Sequence, residues 1–200
     1  QDTSTMAPRV LISDKLSPTA VQIFKDRGVE VDFQPDLGKN KDALLKVIGN
    51  YDGLAIRSAT KATAKIIAAA GNVYLPMDFP SSGHPDGVSP ESPVQWLADS
   101  RPAQAPRAGF ALQSLPEFAS VAAGNGHLYM PSDSDNVIRR FNLLVSSQGK
   151  LYPSLAALLA SGVNQDKTIT ASLNAPGELQ LNNLVIPVDD SLAVITHWYP

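Results

Sequence analysis

Apolar positions in the first third of the chain follow two alternating periods. Arg9 to Ser13 (RVLIS) is a short, nearly continuous apolar run, which predicts a strand buried on both faces of a parallel sheet. Ser17-Pro18 supplies an N-cap and a first helical residue, and Ala20, Val21, Ile23 and Phe24 recur at helical spacing across Thr19 to Arg27. Gly28 then stands where a helix stops. Val29 to Phe33 (VEVDF) alternates as a second strand, and Lys41 to Ile48 sets Leu44, Leu45 and Ile48 on one helical face before Gly49-Asn50. Gly53 to Ile56 predicts a third strand, and Thr63 to Ala70 a third helix closed by Gly71. The order β-α-β-α-β-α implies parallel strands, right-handed crossovers and helices on the sheet faces. This is a flavodoxin-like α/β segment over residues 6–72.

Beyond residue 72 the pattern changes. Residues 73–115 read as a Pro-rich connection: eight prolines fall between Pro76 and Pro116, and HPDG (84–87) and PESP (90–93) are turn chemistry. Within it Val94 to Leu97 (VQWL) can bury Trp96. Residues 116–200 read as mainly β and repetitive. Gly71 to Asp78, Gly126 to Asp133 and Asn182 to Asp189 share a turn, a four-residue strand and Pro-x-Asp, at spacings of 55 and 56 residues. Val137 to Phe141 and Leu192 to Trp198 follow as further strands. ASVAAGNG and GELQLNN precede two copies as earlier strands with hairpin turns. Short strands at this spacing resemble β-propeller blades, although three copies are fewer than the ~4–8 that close a ring. Leu151 to Ala160 (LYPSLAALLA) is the one helix expected here, started at its proline and stopped by Ser161-Gly162.

Charge sharpens the seam. Residues 1–72 hold ten Lys/Arg, eight Asp/Glu and three prolines, whereas the remainder holds six, eleven and thirteen. A formal net charge of -3 gives no electrostatic case for nucleic acid or an acidic membrane. With no cysteine there is no disulfide, thiolate nucleophile or Cys-ligated zinc. No apolar run approaches the ~20 residues needed to span a bilayer. Residues 1–5 (QDTST) precede Met6, lack an apolar core and read as a tag or extension, so the expected location is cytoplasmic.

Functional groups converge at one stretch, Asp52 to Lys61 (DGLAIRSATK), where a strand end runs into Arg57-Ser58-Ala59-Thr60-Lys61 ahead of a helix. An arginine fork, hydroxyls and free helix-start amides suit a small anion. Taken alone, Arg57 is as readily a solvated or ion-paired surface residue. Asp14 and Lys15 read as solvated loop charges, and Asp32 as an exposed strand residue. His84, His127 and His197 sit in no ligand or catalytic motif. Asp133-x-Asp135 and Asp189-Asp190 read as turn caps, because no calcium loop follows them.

The segments VLISDKLSP, GVEVDFQPDL and YDGLAIRSATK resemble the opening of the D-3-phosphoglycerate dehydrogenase family, NAD-dependent 2-hydroxyacid oxidoreductases of serine biosynthesis. The resemblance covers residues 6–72 and implies a substrate-domain segment whose RSAT turn contacts an anionic substrate. Arg57 and Ser58, with Thr60 and Lys61 beside them, would be those contacts. The family pattern then stops: GNVYLPMDFPSSG replaces its next strand and glycine-rich turn. No G-x-G-x-x-G and no catalytic Arg, Glu and His of that family follow. No cofactor site is therefore expected, with NAD entering only through a nucleotide domain supplied elsewhere.

The expectation is an incomplete dehydrogenase-like segment that binds a small anion without turnover, joined to a β-rich remainder. A non-catalytic propeller-like scaffold and a recombined chimera are the alternatives, and bare sheet edges suggest pairing with a second copy.

Overall fold

Ser17 caps the first helix through its side chain, which accepts the Ala20 amide at 3.2 Å, and Asn40 does the same for Ala43 at 3.1 Å in the second. Such local agreement sets the elements of the N-terminal part. The computed structural model describes residues 7–79, 90–97, 105–163 and 167–195. The expected extension at residues 1–5, the HPDG turn, His84 and His197 lie outside them. The chain divides into two compact units, Gln1–Val73 with Ser120–Ala122, and Tyr74–Ala119 with Ala123–Pro200.

The first unit runs β1 (Arg9–Ile12), α1 (Pro18–Asp26), β2 (Glu30–Phe33), α2 (Lys41–Val47), β3 (Gly53–Ala55) and α3 (Ala64–Ala70), with short 3-10 turns at Leu37–Lys39 and Ile48–Asn50. The strands form a parallel sheet in the order β2-β1-β3, with Leu11 opposite Asp32 on one side and Leu54 on the other. As the middle strand, β1 has both faces covered, and Leu11 and Ile12 are fully buried. Leu11 packs with Leu44, Ile48, Tyr51 and Ile66, which come from α2, the turn after it and α3.

The second unit holds β4 (Tyr74–Asp78), β5 (Val94–Trp96), β6 (Leu112–Gln113), α4 (Pro116–Ala119), β7 (Gly124–His127), β8 (Arg140–Asn142), β9 (Leu144–Ser147), β10 (Lys150–Pro153), α5 (Leu155–Ser161), β11 (Ile169–Ala175), β12 (Glu178–Leu181), β13 (Leu184–Pro187) and β14 (Ala193–Ile195). A four-stranded sheet runs β13-β12-β11-β5, antiparallel except for the β11–β5 pair. A second sheet, β6-β4-β7, places β4 parallel to β7. β9 and β10 form a hairpin around Gln148-Gly149, whose φ values of 48° and 75° fit the turn that a right-twisted hairpin needs. Leu158 of α5 is buried with Leu144, Ile169, Leu179 and Leu181.

Several expectations fail here for identifiable reasons. The three repeat copies take three different settings. The strand of the first is β4; the second opens on Gly126-His127, the last residues of β7, and has no strand over 128–133; the third is β13, which pairs antiparallel with β12 in another sheet. Strand pairing among the described residues therefore gives the propeller reading no support. ASVAAGNG begins at the end of a short helix, α4, and its last residues are themselves strand. The helix expected from Leu151 is a strand up to Pro153, because Leu151 and Tyr152 pair with Ser146 and Val145. Ser154 then caps α5 by accepting the Ala157 amide at 3.0 Å. The strand expected over Val137 to Phe141 starts at Arg140, since Arg139 is drawn into a fork with Asp135 at 2.7 and 2.9 Å.

Gly126 in β7 lets the start of α5 lie directly on the strand. A Cβ there would meet the Leu155 Cα at 2.6 Å and its nitrogen at 2.7 Å, main-chain atoms that cannot swing aside. Gly126→Ala is therefore expected to destabilise this unit by about 1–3 kcal/mol, the usual cost of overpacking. Urea denaturation checks it, and an unshifted midpoint would show that α5 does not rest on this strand.

Candidate functional site

The parallel strands deliver two loops to one end of the first sheet, the turn after β1 (Ser13-Asp14-Lys15) and the turn after β3 (Arg57 to Thr60). Asp14 is only 2% exposed, against the expectation of a solvated loop charge. Its Oδ2 accepts the Arg57 amide at 2.6 Å and the Thr60 amide at 3.1 Å, and its Oδ1 accepts the Thr60 hydroxyl at 2.7 Å. Thr60 has a single hydroxyl proton, so in the 2.8 Å contact between Ser13 and Thr60 the Ser13 hydroxyl is the donor. Burial alone would push the Asp14 carboxyl up. The Thr60 hydroxyl and the Arg57, Thr60 and Ala59 amides together outweigh it and hold the carboxyl below its ordinary range.

The amide donors expected for an external anion are thus already satisfied by an internal one. Helix α3 starts only at Ala64, so its first amides do not line the site. Thr60 is 3% exposed and gives both donors to Asp14, which makes it part of the frame and not a ligand contact. Lys61 is exposed and lies outside the cavity lining.

Arg57 and Ser58 do line a cavity of about 220 Å³, together with Asp14, Lys15, Pro35, Lys39 and Ala59. The Arg57 guanidinium donates to the Lys15 carbonyl at 3.2 Å, and Lys39 pairs with the exposed Asp36 at 2.7 Å. Sequence reasoning missed Lys39 and the framing role of Asp14. The PDLGK turn carries the signal for Lys39, because Gly38 fits where no Cβ can. A Cβ at that position would lie 1.8 Å from the Thr60 Oγ1 and 2.7 Å from Asp14 Oδ1. The Gly38 amide donates to the Ser13 carbonyl at 3.0 Å, fixing the turn that carries Lys39 against the end of β1.

Chemically the cleft offers three cations, a hydroxyl and a carboxylate that accepts three internal donors. None of its seven lining residues is a histidine, and the Asp14 carboxylate already accepts two amides and a hydroxyl from the frame. A nicotinamide dinucleotide does not fit the β1–α1 turn. Ser13 to Pro18 (SDKLSP) contains no glycine and places the Asp14 carboxylate where a pyrophosphate needs amides.

Asp32 is not the exposed strand residue expected. It is half-buried and accepts the Tyr51 hydroxyl at 2.5 Å and the Gln34 amide at 2.8 Å. In the second unit a groove of about 460 Å³ lies between Leu173–Gly177 and Val188–Leu192. Its Asp189 is occupied, accepting the Ser191 and Ala193 amides at 2.8 and 3.0 Å and Arg140 at 3.2 Å. Asp135 caps Val137 and pairs with Arg139, which with the Val137 amide lowers its carboxyl to about 2.

The family model of the CHASE2 domain matches residues 7–200, and the chain belongs to that family. It is also similar, over a third of its length, to D-3-phosphoglycerate dehydrogenases. It is 42% identical over 67 residues to that of Homo sapiens (34% of this chain, 12% of the relative) and 43% identical over 68 residues to that of Mycobacterium bovis (34% and 12%). D-3-phosphoglycerate dehydrogenase 2 of Saccharomyces cerevisiae is 34% identical over 70 residues, 35% of this chain and 15% of the relative. The match thus takes in about an eighth of the length of most of these curated relatives. No solved structure matches. Among the described residues no helix is long and apolar enough to cross a membrane.

Asp14→Asn keeps the shape but turns an amide NH₂ toward buried donors. A loss of about 1–3 kcal/mol at neutral pH is expected, the cost of leaving buried groups unsatisfied. Because the folded carboxyl lies below 3.8, its contribution is complete above that pH and is lost as pH falls through the lower folded value. Urea midpoints from pH 7 to 2 should therefore fall less steeply at the acid end in Asp14→Asn. Matching curves would remove the carboxylate from its holding role.

Proposed function

We propose that this chain is a sensory, ligand-binding module of the CHASE2 family whose α/β unit takes a small anion in the Lys15–Lys39–Arg57 cleft, without dehydrogenase turnover. One observation carries the reading: three cations line a single surface cavity whose turn is locked by a buried carboxylate. Arg57 supplies the planar fork and Ser58 an exposed hydroxyl, while the two lysines act as point charges. The partial likeness to D-3-phosphoglycerate dehydrogenases supports a phosphate- or carboxylate-bearing ligand. Family membership supports binding and sensing over hydride transfer. It also withdraws support from the cytoplasmic expectation, because CHASE2 domains are typically extracellular or periplasmic.

Calorimetric titration with inorganic phosphate and with 3-phosphoglycerate tests the site. Wild type should bind at least one of them, more weakly as salt rises, and Arg57→Ala should lower the affinity roughly tenfold, the loss of about one charged hydrogen bond. Equal heats for the two proteins would take Arg57 out of the site. Reduction of NAD in the presence of a 2-hydroxy acid would overturn the non-catalytic part of the reading.

A further inference from the structure

His127 closes β7 with none of its surface exposed. Its Nδ1 accepts the Tyr129 amide at 3.2 Å, so the ring proton sits on Nε2, and among the described residues Nε2 has no hydrogen-bond partner. The ring lies edge-on to Phe79, centroids 5.9 Å apart, and Phe79 meets Tyr129 at 6.2 Å and Tyr152 at 5.8 Å in the same manner. The backbone is fixed as well, since His127 pairs with Met77 of β4 and bridges to Ser154 ahead of α5.

Among the described residues, the charged groups on the elements packed against β7 are engaged elsewhere or do not act on the ring. β4 carries Tyr74 and Asp78, and Asp78 accepts the Phe79 amide at 2.8 Å. β10 carries Lys150, paired with Glu91 at 2.7 Å, and Tyr152, whose hydroxyl donates to the Pro90 carbonyl at 2.6 Å. α5 (LAALLAS) carries no titratable group, and after β7 come Tyr129 and then Asp133 and Asp135, both paired with Arg139.

We propose that His127 is an acid-operated latch: the neutral imidazole holds the Tyr129 amide and fills the aromatic cluster, and the imidazolium can do neither. A second ring proton would point a donor at a donor, and a cation would sit buried with no acceptor. Proton uptake is therefore coupled to release of the β7 end and of Tyr129. Burial, the sole cause acting on the ring, lowers it from 6.5 to about 4. The open form then takes the proton more readily. The closed form is fully favoured above pH 6.5, loses ground as pH falls, and stops losing ground below about 4. The carboxylates held below 3.8 act only at lower pH, so this window is separate from theirs.

Imidazole and amide NMR on the full chain tests the latch, using His84→Gln with His197→Gln so that His127 is the remaining histidine. The ring should stay neutral to about pH 4. Over the window from pH 6.5 down to that value, the opening equilibrium at the Tyr129 amide, corrected for intrinsic exchange, should rise roughly tenfold per pH unit. A ring that titrates near 6.5, or Tyr129 protection unchanged across the window, overturns the proposal. Urea midpoints give a second reading: His127→Gln should flatten the pH dependence between 6.5 and 4, and a retained slope overturns it equally.

Discussion

The carboxylate of Asp14 is the constraint on which the first unit turns. A buried negative charge is tolerable only with donors around it, and a tight turn of amides and hydroxyls needs an acceptor. Each meets the need of the other across 43 to 46 residues of sequence, joining the end of β1 to the turn after β3. The backbone donors are consumed inward, and the cationic side chains of Lys15, Lys39 and Arg57 are left facing outward. The cleft is therefore a product of the lock behind it. Its electrostatics come from long side chains on a fixed frame instead of from amides at a helix start.

How much of this could be read from sequence follows from how local each signal is. Caps, turn glycines and apolar periods in residues 9–70 act within a few positions, and the strands and helices expected there lie within one or two residues of those observed. The fate of Asp14 was not legible, because nothing near it announces the turn that buries it. Thr60 misled for the matching reason: a hydroxyl beside an arginine reads as a ligand contact, and only the fold shows it spent on Asp14. The shared pattern of turn, apolar strand and Pro-x-Asp described a strand in its first and third copies but not in its second, where β7 ends before Leu128, and it said nothing about partners. The first sits parallel to β7, and the third is antiparallel in a separate sheet. Pairing is set by long-range register, which short motifs do not encode.

The two likenesses differ in extent. The CHASE2 match runs through the composition seam near residue 72, while the dehydrogenase match takes in about a third of the chain. Sheet, lock and cleft lie in the part of the chain, residues 6–72, whose wording resembles the dehydrogenase opening. The parallel β4–β7 pair, Gly126 under α5 and the sealed imidazole lie within the CHASE2 match. The second unit thus has its own internal logic, in which a strand is wedged between a helix backbone and an aromatic cluster with no slack for charge.

The missing Cβ at Gly38 reaches further than local fit. The arm bearing Lys39 and the arm bearing Arg57 are seated against the same Ser13–Thr60–Asp14 knot, from opposite sides. Their separation is consequently gauged by backbone, like the jaws of a caliper set once during folding. Guests would be sorted by the span between their charges, and a long flexible side chain at either jaw could soften that gauge without resetting it.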